Sequence, residues 1–111
     1  MKGKLYIIAT PIGNMEDITL RAIRVLGDCD YILAESSERS SKILQRHRIT
    51  NKLITFNKDN EKSKVSKIFS DLESGKVVGL ISDAGTPSIS DPAFELIKIP
   101  NDNFSIIPVP G

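Results

Sequence analysis

The chain lacks three things that would narrow its function at once: a cysteine framework, an excess of charge of either sign, and a long hydrophobic run. Its one cysteine, Cys29, excludes an internal disulfide and a multi-cysteine metal site. A lone thiol of this kind reads first as a small apolar residue in a reducing compartment. Fifteen Lys and Arg stand against fourteen Asp and Glu, a formal charge of +1. Strong phosphate binders usually carry a clear basic surplus. Any nucleic-acid contact must therefore come from local clustering of cations or from another part of the molecule. The opening Met1-Lys2-Gly3-Lys4 leads into an apolar stretch that ends at Ala9. That stretch is too short for a secretion signal's apolar core with its cleavage site, and far too short to span a bilayer. These features predict a cytoplasmic protein with no membrane association.

What is present is an ordinary globular composition, 40% hydrophobic and 26% charged over 111 residues, enough for one domain with one sizeable core. Five short apolar, β-branched runs stand out: Leu5–Ala9, Tyr31–Ala34, Leu53–Phe56, Val77–Ile81 and Phe104–Val109. Near-continuous hydrophobic strands are the pattern of a parallel sheet buried on both faces. Helical spacing lies between them. It is clearest from Asn60 to Glu73, where Val65, Ile68, Phe69 and Leu72 share one face and Gly75 sits where a glycine would stop the helix. Ile18–Leu26 and Ser40–Gln45 read as further helices. Asp91-Pro92 is an N-cap carboxylate followed by proline at the first helical position. The alternation predicts an α/β fold: an open, mainly parallel five-stranded sheet with helices on both faces.

In such sheets, ligands sit beyond the carboxyl ends of the strands. The loop Ala9-Thr10-Pro11-Ile12-Gly13-Asn14 has a single glycine, so it is neither of the glycine-rich phosphate-binding fingerprints. By itself it reads as a plain strand-to-helix turn. Glu35-Ser36-Ser37-Glu38-Arg39-Ser40-Ser41 holds two carboxylates, an arginine and four hydroxyls after the second strand, and by itself it reads as a solvated helix start. The segment Ser82-Asp83-Ala84-Gly85-Thr86-Pro87-Ser88-Ile89-Ser90-Asp91-Pro92 is more specific. Small residues admit a ligand to the main chain, Gly85 permits unusual dihedrals, and two prolines stiffen the path. Such a loop can present amides and carbonyls to a polar cofactor at little entropic cost. His47 has no Cys or second His beside it and reads as a packing or solvated residue, not a ligand. Arg46-His47-Arg48 is a small basic patch and the best local candidate for an RNA phosphate contact.

Leu5-Tyr6-Ile7-Ile8-Ala9-Thr10-Pro11-Ile12-Gly13-Asn14, followed by Glu16-Asp17-Ile18-Thr19, resembles the opening of the tetrapyrrole methylase superfamily, in the form carried by its ribosomal RNA group. Ser82-Asp83-Ala84-Gly85-Thr86-Pro87 with Ile89-Ser90-Asp91-Pro92 resembles the family's second signature, and Pro108-Val109-Pro110-Gly111 its third. The match runs through essentially the whole chain in the family's order. It implies S-adenosylmethionine as cofactor, held in a cleft between two domains, of which residues 1–111 would be the N-terminal half. Matching positions implied to hold the cofactor are Pro11, Asp83, Ala84, Gly85 and Ser88, with Thr10, Thr86 and Pro87 shaping the loops. The resemblance also implies a homodimer and 2′-O-methylation of a cytidine ribose in small-subunit ribosomal RNA. The expected substrate is the ribosomal particle in preference to naked RNA.

The chain departs from the family pattern in three places. It has Glu35-Ser36-Ser37-Glu38 where Glu-Asp-Thr-Arg is usual. It has Asn57-Lys58-Asp59-Asn60-Glu61 where a histidine-bearing segment is usual, and Ala93 in place of a glycine. The cofactor loops are thus better kept than the stretches that would serve RNA or catalysis. Glu35 is the candidate general base. Two alternatives stay open at this point. One is a tetrapyrrole-type small-molecule methyltransferase, and the other a non-catalytic domain that binds cofactor weakly or serves assembly. Residues 1–111 alone are expected to be an inactive half-site.

Overall fold

The structure, a computed structural model, describes residues 3–9, 18–35, 37–56, 61–82 and 104–109. They form strand β1 (Gly3–Ala9), helix α1 (Leu20–Asp28), β2 (Tyr31–Ala34), α2 (Ser37–Arg46), β3 (Leu53–Thr55), α3 (Glu61–Glu73), β4 (Val77–Ser82) and β5 (Phe104–Val109). The five strands make one sheet in the order β3-β2-β4-β1-β5, with every pair parallel. The predicted α/β architecture is therefore the observed one. The helix expected after Asp91-Pro92 lies outside the described residues.

Alternation along the strands explains why both faces need cover. In β1, Leu5 and Ile7 point to one side and Ile8 to the other. In β4, Val78 and Leu80 oppose Ile81, and in β2, Tyr31 and Leu33 oppose Ile32 and Ala34. The first set packs under α3 through Ile68 and Leu72, with Phe56 and Phe104 in the same cluster. The second set packs under α1 and α2 through Ala22, Leu26, Ile43 and Leu44. The chain moves one way across the sheet from β1 to β2 to β3, then the other way to β4. Crossovers of one hand must then put α1 and α2 on one face and α3 on the other, as found.

Local chemistry sets the ends of the helices. Thr19 caps α1, its hydroxyl accepting from the Ala22 N–H at 3.1 Å. The helix therefore begins at Leu20, two residues after the predicted start. α3 ends as expected at Gly75, which takes φ 103°. The Gly75 N–H donates to the Leu72 carbonyl and that of Lys76 to Asp71, a Schellman closure. α2 closes in the same way, Arg48 N–H to Gln45 and Ile49 N–H to Leu44, but the residue in the left-handed position is Arg48 at φ 56°. An arginine there costs about 1 kcal/mol relative to glycine.

The amino ends of the strands are tied together by polar contacts. Asp30 accepts from the Val77 N–H through its carboxylate and donates its own N–H to the Val77 carbonyl, both at 2.7 Å. The Asn51 amide donates to the carbonyls of Leu26 and Cys29, each at 2.8 Å, and so satisfies the end of α1. The Tyr31 hydroxyl donates to Asp71 at 2.7 Å, while Lys67 and Lys76 approach the same carboxylate at 3.3 and 3.7 Å. Burial alone would raise the Asp71 pKa. The Tyr31 hydrogen bond and the two ammonium groups outweigh it and hold the carboxyl below its ordinary range.

Candidate functional site

The strand register brings the two signature loops to one place. Ala9, the last residue of β1, is the Cα partner of Ser82, the last residue of β4. The segments beginning at Thr10 and Asp83 therefore leave neighbouring strands, about 4.8 Å apart, at the same height. On the other side of β4, Ala34 of β2 pairs with Ile81, so Glu35 leaves the sheet level with Ser82. β2 leads on to β3 at one edge of the sheet. The next strand after β4 is β5, beyond β1 at the other edge. The adjacent strands β2 and β4 thus lead on in opposite directions, and in open α/β sheets the crevice at such a switch point, beyond the carboxyl ends, is the usual ligand position.

Of the candidate residues, Glu35 is described: it is exposed at this edge, one residue past the buried Ala34. Pro11, Asp83, Ala84, Gly85 and Ser88, with Thr10, Thr86 and Pro87, lie outside the described residues. The roots of their loops are what the structure brings together. The rim residues Ala9, Ala34 and Ser82 are all small. A polar ligand could reach the main chain there, with the Glu35 carboxylate alongside.

The hydroxyl-rich stretch after β2 is the helix start that its composition suggests, and it begins early. From Ser37 it is already helical, three residues before the predicted start, and Ser40 is buried. The Ser41 hydroxyl donates back to the Glu38 carbonyl at 3.0 Å. Ser40 and Ser41 are thus taken up by the helix itself, and Glu35 is an exposed carboxylate before it. Arg46-His47-Arg48 lies at the closing turn of α2, one helix length from the crevice, because α2 runs back toward the amino ends of the strands. His47 is half-buried.

Cys29 plays no part at this edge. It is buried at the amino end, its thiol donating to the Val25 carbonyl at 3.1 Å, and burial with the charges of Asp28 and Asp30 pushes its pKa from 9.0 to about 12. It packs on Gly79, where an added Cβ would stand 2.9 Å from the sulfur. Among the described residues no group of three or more His, Cys, Asp or Glu could hold a metal ion, and no helix is long and apolar enough to cross a membrane. The sequence reading missed Asp30, Asn51 and the Tyr31–Asp71 pair. Each joins residues more than 20 positions apart, and a single sequence carries no sign of such pairing.

Comparison with known proteins places this geometry. The chain is 42% identical over 111 residues to the ribosomal RNA small subunit methyltransferase I of Halalkalibacterium halodurans, covering 99% of this chain and 38% of that protein. The protein of that name from Rickettsia prowazekii is 48% identical over 112 residues, covering 100% of this chain and 40% of the relative. The chain thus spans about two fifths of the length of these relatives. Among solved structures, uroporphyrin-III-C-methyltransferase from Thermus thermophilus superposes with a TM-score of 0.65 at 20% identity, over 97% of this chain and 48% of that one. Diphthine synthase superposes with a TM-score of 0.70 at 12% identity, over 97% and 44%. At such identities these two likenesses concern the fold. The family model for Tetrapyrrole (Corrin/Porphyrin) Methylases matches residues 4–111, and the chain belongs to that family.

Proposed function

We propose that this chain forms the cofactor-binding half of a methyltransferase that uses S-adenosylmethionine to methylate small-subunit ribosomal RNA. The observation that carries the reading is the pairing of Ala9 with Ser82, which starts both signature loops side by side at the carboxyl edge. The names of the relatives supply the substrate class. Pro11, Asp83, Ala84, Gly85 and Ser88 would hold the cofactor, chiefly through main-chain groups made accessible by small side chains. Bound there, S-adenosylmethionine supplies an electrophilic methyl group on a sulfonium.

The work left to the protein is positioning, since an in-line displacement depends on alignment of donor and acceptor. A ribose hydroxyl is a weak nucleophile, and a carboxylate within hydrogen-bond reach can accept its proton. Glu35, exposed at the crevice, takes that role in this reading, with a cytidine 2′-hydroxyl as acceptor. The relatives are more than twice as long, so a further domain is proposed to form the opposite wall of the site. Residues 1–111 alone would then bind the cofactor weakly and turn nothing over. The reading extends to a homodimer acting in the cytoplasm on the assembled ribosomal particle.

The test is methyl incorporation from labelled S-adenosylmethionine into small ribosomal subunits by the full-length protein. Nuclease digestion and mass spectrometry then locate the methyl. Label in a 2′-O-methylcytidine is expected. Label on a base, or none in RNA but some in a tetrapyrrole precursor, would replace the reading.

A further inference from the structure

The near-neutral net charge hides an uneven distribution. All five arginines of the chain, Arg21, Arg24, Arg39, Arg46 and Arg48, fall within α1, α2 and the closing turn of α2. These elements cover one face of the sheet. Every other cation in the chain is a lysine. Helices α1 and α2 together hold Arg21, Arg24, Arg39, Lys42 and Arg46 against Asp28 and Glu38, whereas α3 balances Lys62, Lys64 and Lys67 with Glu61, Asp71 and Glu73.

The two sides also differ in what their cations do. On the α3 side, Lys64 donates to the Thr55 carbonyl at 2.8 Å, and Lys67 and Lys76 pair with Asp71. On the α1/α2 side, Arg21, Arg24, Lys42 and Arg48 are exposed and form no ion pair among the described residues. Arg21 and Arg24 are one turn apart on α1, and Lys42 and Arg46 one turn apart on α2, so each helix presents a stripe. From Arg21 in the first turn of α1, toward the carboxyl edge, to Arg48 past α2 at the amino end, the layer extends about 15 Å by helix rise. Arg48 adds an independent sign: the backbone there favours glycine, yet the position carries a guanidinium.

We propose that the α1/α2 layer is the surface that docks the phosphate backbone of the RNA substrate, with Arg21, Arg24, Lys42 and Arg48 as its contacts. The inference rests on the rRNA reading above. Arginine suits the role because its planar fork can hold a phosphate with two hydrogen bonds. The layer positions RNA and does not read bases, so it strengthens binding to any small-subunit RNA of the right shape.

The test measures binding of the full-length protein to small ribosomal subunits at stepped salt concentrations. It compares Arg21→Gln/Arg24→Gln, Arg48→Gly and, on the opposite face, Lys67→Gln. Each lost phosphate contact should weaken binding about five- to eightfold at ~0.1 M salt and make the salt slope shallower by about 1. The double variant should therefore lose roughly 25- to 60-fold. Arg48→Gly separates docking from folding, since it should raise the melting temperature while weakening RNA binding. Lys67→Gln should leave the slope unchanged, and all variants should bind S-adenosylmethionine as the parent does. Arginine variants that bind subunits with the parental affinity and slope, by a protein that methylates them, would overturn this surface and leave the function standing. The same holds if the variants change the sedimentation of the free protein instead, since the layer would then be a contact between copies. A parent protein that neither binds nor methylates small subunits would overturn the rRNA reading and this proposal with it.

Discussion

The two ends of the sheet are built for different purposes. At the amino end, Asp30 clasps Val77, Asn51 closes α1, Tyr31 and two lysines converge on Asp71, and Gly3 lets the end of α3 approach β1. At the carboxyl edge, the chain leaves the sheet at Ala9, Ala34 and Ser82, small residues with the exposed Glu35 one position past Ala34. One end spends its polar groups on neighbouring segments. The other carries Glu35 and the roots of both signature loops. Parallel sheets favour this division, because every strand enters at one end and every ligand-facing loop leaves at the other.

The sharpest way to break that comparison is to change one end and look for the effect of the other. Glu35→Gln in the full-length protein should slow methyl transfer by roughly 10²–10⁴-fold, the range for loss of a general base. The same variant should leave chemical denaturation within about 0.5 kcal/mol of the parent, as for an ordinary surface substitution. Steady-state kinetics and urea titration check the pair. A large loss of stability with little loss of rate would reverse the roles assigned here.

At the amino end the expectation is opposite. A Cβ on Gly3 would collide with the Leu72 carbonyl oxygen and stand 2.6 Å from that of Lys76. Neither backbone atom can move alone, so Gly3→Ala should cost about 1–3 kcal/mol in urea unfolding, with kcat unchanged at temperatures where the variant is folded. Tyr31→Phe removes a hydroxyl from a charged partner and should cost about 1–2 kcal/mol.

The pH dependence follows from the same end. Cys29 is raised from 9.0 to about 12, and Tyr31 is raised by burial and by its hydrogen bond to Asp71. Folding therefore favours the protonated form of both groups. Their contribution is complete below the unfolded values, near 9 for the thiol and about 10 for the phenol, and is lost as pH rises through the folded values. Asp71, held low, contributes above its ordinary value of 3.8 and loses that contribution as pH falls below it. Thermal melts from pH 8 to 11 should show declining stability that Cys29→Ala lessens. An unchanged alkaline limb in that variant would remove the thiol from the account. The smallest expected effect is a gain: Arg48→Gly should stabilise by about 0.5–1 kcal/mol, less what a flexible glycine costs the unfolded chain.

Legibility in the sequence followed this division only in part. Tyr31–Ala34 and Phe104–Val109 were readable to the residue, since a buried parallel strand is a dense apolar run. Gly75 marked the end of α3 because only its type fits φ 103° without strain. The start of α2 was missed by three residues, because Ser-Glu-Arg-Ser has no apolar period to betray a helix. Thr19 was read as inside α1 when its hydroxyl caps the helix from outside. The loops after β1 and β4 were legible as a site from small residues and motif, and as lying together at one edge, though the strand order that pairs Ala9 with Ser82 is encoded in no local pattern. The amino-end clasps were invisible for the same reason: Tyr31 and Asp71 are 40 positions apart, Asp30 and Val77 are 47.

In the proposed function, S-adenosylmethionine binds at the level carboxyl ends of β1, β4 and β2. Titration calorimetry of the full-length protein with S-adenosylmethionine tests it, comparing the parent with Gly85→Val, a substitution at a position proposed to hold the cofactor through the main chain. The account predicts saturable binding by the parent and at least about a hundredfold weaker binding by Gly85→Val, equivalent to ~2.7 kcal/mol, with the two proteins melting alike. Equal affinities in parent and variant would contradict it.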